Sequence, residues 1–556
     1  LDEMKEDIEN ADVLLTDLMG VDQTVFSIIV KSMKICKGQR LALGGMAPSL
    51  SRLGGYDASR FRMNETDEEN LHRINECWKR AQYEDIEYIF NMILKKYLNQ
   101  DYLPDVSYNF IREGVYIKDP ITNKEYDSID EYNLDHPASH SGKVLITYSG
   151  NNYPTKNTEG IRLLFNKICE FADVLPIAMN SYNIRYVELM KSICGNPDVI
   201  VNVLPFRFMA GPMGGDSVSA VDLLRDLDAT YISPFFLTKS TKEEWESSKA
   251  GINPMEFMLN IFLPELDGAL CTIPLGFNKE IEYLDDYGLS VTEVMPLEDR
   301  VERIAGKVKN YIKLRKKKNS EKRVAIISYN YPPGEGNLFG GSFLNGAGSI
   351  SNILNMLSSD GYYVKRISPD DLIEQFINEG ILNDGRWMSP SERIIRYADK
   401  SAHPQQVIKT WGKAPGKVMV IDRDYMIPGI INGNVFIGIQ PPRTSDDDDA
   451  AKQYHDQEMP PHHQYLAMYE WIENVFKADV VIHLGTHGTL EFLPGKESAM
   501  SSQCYPDLIM RDMVHIYIYY SGNPSEAMIA KRRSHACLVS YMPPPFIRSE
   551  IYGELA

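Results

Sequence analysis

Two rhythms of apolar and polar positions run along this 556-residue chain. Alternation with period two reads as strands, and recurrence near period 3.6 reads as helices. The first segment switches between them: Glu3 to Asn10 helical, Ala11 to Leu18 a strand, Gln23 to Cys36 helical, Arg40 to Gly44 a strand. That order is the βαβ pattern of a parallel sheet. A loop rich in Gly, Ser and Pro at Met46 to Tyr56 precedes a long charged amphipathic helix over Glu65 to Leu98, and Asp101 to Gly142 reads as an irregular connection.

A second unit opens with the strand Lys143 to Tyr148, whose loop Ser149 to Thr155 leads into a helix over Thr158 to Phe171. Asp198 to Pro205 has the continuous apolar character of a buried strand, and Phe206 to Asp216, dense in Gly and Pro, reads as a loop. Glu243 to Pro264 is helical with breaks at Gly251 and Pro254, and its Met255, Phe257, Met258 and Phe262 are assigned to core packing. A helix around Leu297 to Lys318 carries the chain into a third unit.

There, Val324 to Tyr329 is a strand, and the turn Asn330 to Asn337 resembles a phosphate-cradling loop only loosely, because Gly334, Gly336 and Gly340 miss the G-x-G-x-x-G spacing. A helix follows with Ile350, Ile353, Leu354 and Leu357 on one face. Val435 to Gln440 is the next strand, and the four-Asp run Asp446 to Asp449 reads as a solvated loop rather than a cation site. Leu466, Tyr469, Ile472 and Phe476 form the buried stripe of a helix that leads to the strand Asp479 to Ile482, and Val514 to Tyr520 is a further strand. Asn523-Pro-Ser-Glu526 supplies a helix N-cap with Pro at the first helical position.

These elements predict an α/β, multidomain protein of several parallel-sheet, Rossmann-like units with helical connections. Its domains are placed at 1–142, 143–320 and 321–556, the first with an incomplete start and the last truncated at its C-terminal side. The chain reads as a fragment, because it opens at Leu1 in mid-helix and closes in a charged run.

Composition narrows the function classes. A formal charge of −19 argues against a nucleic-acid binder, since phosphate neutralisation needs a concentrated positive surface. The basic run Lys313 to Arg323 reads as a solvated helix end. Seven dispersed cysteines without a Cys-x-x-Cys pair fit packing roles in a cytoplasmic protein, and no apolar run approaches the length of a membrane span. Gly306-Lys307, Gly416-Lys417 and Gly495-Lys496 lack the following Ser or Thr of a P-loop, so any ATP chemistry belongs to another subunit.

The chemistry concentrates near the third unit's end. Val480-Val-Ile-His-Leu-Gly-Thr-His-Gly-Thr-Leu-Glu-Phe-Leu-Pro-Gly-Lys-Glu497 leaves an apolar strand and enters a glycine-framed loop carrying His483, His487 and Glu491 at intervals of four. Strand carboxyl ends are where doubly wound sheets bind ligands. His455, His462 and His463 precede the next helix, and adjacent parallel strands are expected to bring both histidine groups to one sheet edge. Imidazoles ligate divalent metals and move protons near neutral pH, and a semi-buried carboxylate serves as base or ligand. One such histidine alone would be a core or surface residue; the cluster with Glu491 is read as functional, because buried titratable groups are costly unless used. A zincin is disfavoured, since no Glu follows the first His and Gly485 interrupts the required helix.

With His483-Leu-Gly-Thr-His-Gly-Thr-Leu-Glu-Phe-Leu-Pro-Gly-Lys496, Pro460-Pro-His-His-Gln464 after Tyr454-His455, Gly433 to Arg443 and Val324 to Pro333, the chain resembles the large, porphyrin-binding subunit of ATP-dependent metal chelatases. That family includes the cobaltochelatase CobN and the magnesium chelatase H subunit. The resemblance implies insertion of a divalent metal, Co2+ or Mg2+, into a tetrapyrrole, with ATP hydrolysed by separate AAA+ subunits. It implies Glu491, His487 and His483 as catalytic residues, His455, His463, His483 and His487 as metal ligands, and Arg443, Lys496 and Gln440 as substrate contacts. The cobalt branch is preferred. The alternatives are the magnesium branch, which Phe343-Leu-Asn-Gly-Ala-Gly-Ser-Ile350 resembles more closely, and a non-catalytic tetrapyrrole sensor.

Overall fold

A computed structural model of the chain describes residues 2–542 apart from 19–22, 45, 55–62, 81–82, 106, 109–111, 113, 151–157, 180–183, 212–213, 285–288, 331–337, 379–380, 382–392, 399–402 and 444–455. Most of the Asn330 to Asn337 turn and the whole Asp446 to Asp449 run therefore lie outside the described residues, and so does His455.

Two six-stranded sheets dominate. In the first, Thr230–Ile232, Val199–Asn202, Lys143–Ser149 and Asp173–Met179 are parallel neighbours, and Val115–Lys118 and Glu125–Tyr126 extend one edge antiparallel. Those two edge strands fall inside the stretch read from the sequence as a connection. They are short and form an antiparallel edge, so neither shows the long apolar run that marks a central parallel strand. In the second sheet the order is Gly429–Asn432, Val435–Ile439, Val324–Ser328, Val480–Leu484, Val514–Tyr520 and Cys537–Tyr541, parallel throughout except for the first. Near the N-terminus, Val13–Asp17 and Gln39–Leu43 pair in parallel as the alternation predicted.

The central strands are apolar because both faces are covered. Val324 to Ile327 and Val435 to Ile437 are each at most 2% exposed, packed between helix Gly346–Ser359 on one face and helix His463–Trp471 on the other. The predicted helix over Glu65 to Leu98 is divided into Glu65–Arg80, Tyr83–Met92 and a π-helical turn Ile93–Tyr97. Another π-helical turn, Met258–Phe262, changes the face presented after Pro254–Phe257. As a result Met255, Met258 and Phe262 are about half exposed, against the core assignment, while Glu256, Asn260 and Ile261 turn inward.

Helix Glu298–Lys316 joins the two large sheets, and its basic end, though still solvated, pairs with aspartates that precede a strand of each sheet. Lys313 and Lys317 pair with Asp479, which precedes Val480–Leu484, at 2.9 and 2.6 Å. Arg315 and Lys316 pair with Asp198, which precedes Val199–Asn202, at 3.3 and 2.9 Å. At the other end Arg300 and Arg303 reach the buried Asp507 at 3.0 and 3.3 Å.

Candidate functional site

Strand Val324–Ser328 lies at the centre of the second large sheet, and the chain leaves it toward Val435–Ile439 on one side and returns to Val480–Leu484 on the other. Such a reversal of strand order opens a crevice at the carboxyl ends. The carboxyl ends and the turns just after them supply Tyr329, Gln440, His483, His487, Glu491, Tyr517 and Tyr519.

His483 is fully buried at its strand end. Its Nδ1 lies 2.8 Å from His515 Nε2 and its Nε2 lies 2.9 Å from Tyr469 OH. His515 Nδ1 faces the Ser534 carbonyl at 3.3 Å, and a carbonyl can only accept. The tautomers follow from that end: His515 Nδ1 donates to Ser534, His483 Nδ1 donates to His515 Nε2, and Tyr469 OH donates to His483 Nε2. Tyr469 oxygen in turn accepts from Gln440 Nε2 at 2.8 Å. Both nitrogens of His483 are therefore engaged. Burial holds His483 well below the ordinary imidazole range and lowers His515 to about 3, so both rings are neutral.

Gln440 completes the wall. Its Oε1 accepts from Thr489 N at 2.7 Å and Thr489 Oγ1 at 3.2 Å, which fixes the loop after His487. A Cβ on Gly488 would stand 2.3 Å from the Tyr329 ring and 2.7 Å from Gln440 Oε1, so this close approach of backbone to phenol requires glycine.

Glu491 sits in the short 3-10 turn Leu490–Phe492 with no exposed surface. Its Oε1 accepts from Tyr517 OH at 3.0 Å, and Tyr517 oxygen receives Tyr329 OH at 2.7 Å and Gly488 N at 3.1 Å. Glu491 Oε2 accepts no hydrogen bond from any described residue. Burial raises the carboxyl above its ordinary pKa, which makes it a stronger base than an exposed glutamate. His487 is 7% exposed; its Nδ1 donates to the Gly488 carbonyl at 2.8 Å, so Nε2 is its basic nitrogen, 3.9 Å from Glu526 Oε2.

The second histidine group is placed differently from the expectation. His462 accepts Tyr465 N at 3.2 Å as N-cap of helix His463–Trp471, with Nε2 donating to the Pro442 carbonyl at 2.7 Å, and burial lowers its pKa to about 4. His463 faces His403 through the two Nδ1 atoms, stacked at 4.8 Å, and its Nε2 donates to the Gly412 carbonyl at 2.8 Å. That helix reaches the site with tyrosines instead: Tyr469 to His483, and Tyr465 OH to Thr489 Oγ1 at 3.0 Å. Among the described residues no three His, Cys, Asp or Glu side chains converge to hold a metal ion.

The two predicted cationic contacts are also directed elsewhere. Arg443 is 2% exposed and donates to the carbonyls of Asp456 and, at 2.7 Å, Met459. Lys496 Nζ donates to the carbonyls of Trp245, Glu246 and Ser248, the last two at 2.8 Å, closing helix Lys242–Ser247 onto the loop. Three donors meet three acceptors, which leaves no proton of Lys496 for a substrate carboxylate.

Arg533 was not singled out by sequence. Its Nε donates to Lys496 O and one terminal nitrogen to Leu493 O, both at 2.7 Å, while the other binds Glu491 O. One buried guanidinium thus fixes the whole loop from Glu491 to Lys496. His515, Tyr517 and Tyr519 did carry a signal, alternating along His-Ile-Tyr-Ile-Tyr so that all three share one face of Val514–Tyr520.

The family model CobN/Magnesium Chelatase matches residues 75–556. The chloroplastic magnesium-chelatase subunit ChlH of Oryza sativa subsp. indica is 33% identical over 399 residues, 69% of this chain and 28% of its own length. The aerobic cobaltochelatase subunit CobN of Pseudomonas aeruginosa is 33% identical over 324 residues, 56% of this chain and 26% of its own. The solved catalytic subunit of cobaltochelatase from Mycobacterium tuberculosis superposes with a TM-score of 0.68 at 24% identity, over 100% of this chain and 46% of that one, which establishes the shared fold. The chain thus spans less than half the length of these relatives. By the family match over most of its residues, this chain belongs to the CobN/magnesium chelatase family.

Proposed function

We propose that this chain is the tetrapyrrole-binding part of a cytoplasmic, ATP-dependent metal chelatase of the cobaltochelatase type, which inserts Co2+ into a corrinoid precursor. Separate AAA+ subunits hydrolyse the ATP, and the third unit, 321–556, houses the reaction. The observation that carries this reading is Glu491: a fully buried carboxylate with one oxygen backed by Tyr517 and the other accepting nothing from the described residues.

Metal insertion forms bonds from the metal to the pyrrole nitrogens and displaces two protons. Glu491 Oε2 accepts one, and the phenol of Tyr517 holds the carboxylate in place as it does so. His487 Nε2 accepts the other, with Glu526 opposite the resulting imidazolium. His483, engaged on both nitrogens, orients Tyr469 and Gln440 rather than ligating the metal. The metal ion is the substrate in this reading.

The test is insertion by the complete assembly. Glu491→Gln is expected to lower the insertion rate at least about 100-fold while tetrapyrrole affinity stays within about twofold. A Gln variant that inserts metal at the wild-type rate removes Glu491 from the mechanism. Magnesium is the alternative metal, favoured by the similarity to ChlH over 69% of the chain. Titration with protoporphyrin and with a metal-free corrinoid separates the branches by which ring binds tightly.

A further inference from the structure

Beside the Thr486–His487 turn three aromatic rings lie in a row. Phe343 and Tyr520 have centroids 5.4 Å apart at a tilt of 40°, and Tyr520 and Tyr541 are 5.7 Å apart at 36°. Phe343 is 60% exposed, and the two tyrosines are partly exposed.

The row is fastened to the turn that carries His487. Tyr520 N donates to Thr486 Oγ1 at 3.0 Å, and Thr486 Oγ1 donates to Tyr541 OH at 3.2 Å. Tyr541 OH donates to the Ser342 carbonyl at 2.7 Å, and Ser342 N donates to the Thr486 carbonyl at 3.3 Å. Phe343 holds φ at +54°, the left-handed region that a bulky side chain enters at a cost. A contiguous aromatic patch of this kind, continuous with a buried polar site, is complementary to a ligand with a flat π face.

The geometry points to a docking shelf whose open ring is Phe343, backed by the tilted rings of Tyr520 and Tyr541, on which the edge of a tetrapyrrole macrocycle stacks beside the Thr486–His487 turn. Offset aromatic stacking supplies affinity without consuming hydrogen-bonding groups, which leaves Glu491 and His487 to the chemistry. The shelf rests on the chelatase reading, because a tetrapyrrole is the planar ligand that reading requires. It also gives a use to the Phe343 to Ile350 run, which the chemistry at Glu491 does not involve.

The experiment titrates protoporphyrin IX into the purified protein and follows the Soret band. Phe343→Ala is expected to raise Kd about tenfold, Phe343→Trp to restore it, and Leu134→Ala, at another exposed apolar site 82% accessible, to leave it unchanged. An unchanged Kd for Phe343→Ala overturns the shelf, as does an equal loss in Leu134→Ala. A second copy of the chain on the shelf would appear as a dimer that Phe343→Ala dissociates without altering Kd, which also overturns it. If the wild-type protein binds neither protoporphyrin nor a metal-free corrinoid, the chelatase reading and the shelf fall together. If Glu491→Gln abolishes insertion while Phe343→Ala leaves Kd unchanged, the reading stands and the shelf alone falls.

Discussion

Glu491 and Tyr517 divide one task between a base and the group that aims it. The carboxylate has two oxygens, and Tyr517 occupies Oε1 at 3.0 Å, so incoming protons are directed to Oε2. Tyr517→Phe removes that donor, the acceptor for Gly488 N and the partner of Tyr329 together. The expected result is a fall in insertion rate of about 10- to 100-fold with tetrapyrrole Kd unchanged, measured by single-turnover absorbance. Equal losses in Kd and rate would instead make Tyr517 a binding residue. His483, His487 and Glu491 stand out in the sequence because they recur at intervals of four where an apolar strand gives way to a glycine-framed loop. Arg443 and Lys496, expected from the sequence as substrate contacts, each donate to backbone carbonyls in the fold, the usual compensation for burying a cation.

At the scale of elements, the C-terminal turn of helix Pro524–Ser534 supports the site from behind. Arg533 binds three carbonyls of the Glu491 to Lys496 loop, and the Ser534 carbonyl ends the chain of hydrogen bonds that runs through His515 and His483 to Tyr469. Arg533→Lys keeps the charge but loses the fork that spans three acceptors. We expect it to destabilise the fold by about 1–3 kcal/mol per carbonyl left unpaired and to depress insertion further than global stability accounts for, as read by urea denaturation beside activity at low temperature. Full activity at an unchanged urea midpoint would remove Arg533 from any positioning role. In sequence Arg533 reads as an ordinary cation in a last helical turn. The predicted cap of that helix differs as well: Asn523 donates to Glu526 and caps no backbone N–H.

Across the whole molecule, buried neutral histidines couple stability to pH. Burial lowers His462 and His535 to about 4 and His515 to about 3. The unfolded chain takes up protons on these rings below about pH 6.5, whereas the folded chain does not. Their contribution is therefore complete above pH 6.5 and is lost as the pH falls toward 4. Unfolding free energy measured in urea between pH 7 and 4.5 is expected to decline, with a slope of about one proton per histidine. His462→Asn, which keeps an N-cap, should flatten that slope by about one proton; an unaltered slope would mean that His462 titrates normally in the fold.

The alternation of the first strands and helices, the parallel character of the central strands and the placing of His483 at a strand end follow from the sequence by itself, since apolar periodicity and glycine punctuation are local properties of the chain. Tertiary structure decided the rest. Only pairing in register sets Tyr517 beside His483, only packing of helix His463–Trp471 delivers Tyr465 and Tyr469 to the site while its histidines serve as a cap and a stacked pair, and only burial turns Arg443, Lys496 and Arg533 toward carbonyls. A side chain's type limits the hydrogen bonds it makes; which of them it makes depends on the neighbours that folding brings within about 3 Å.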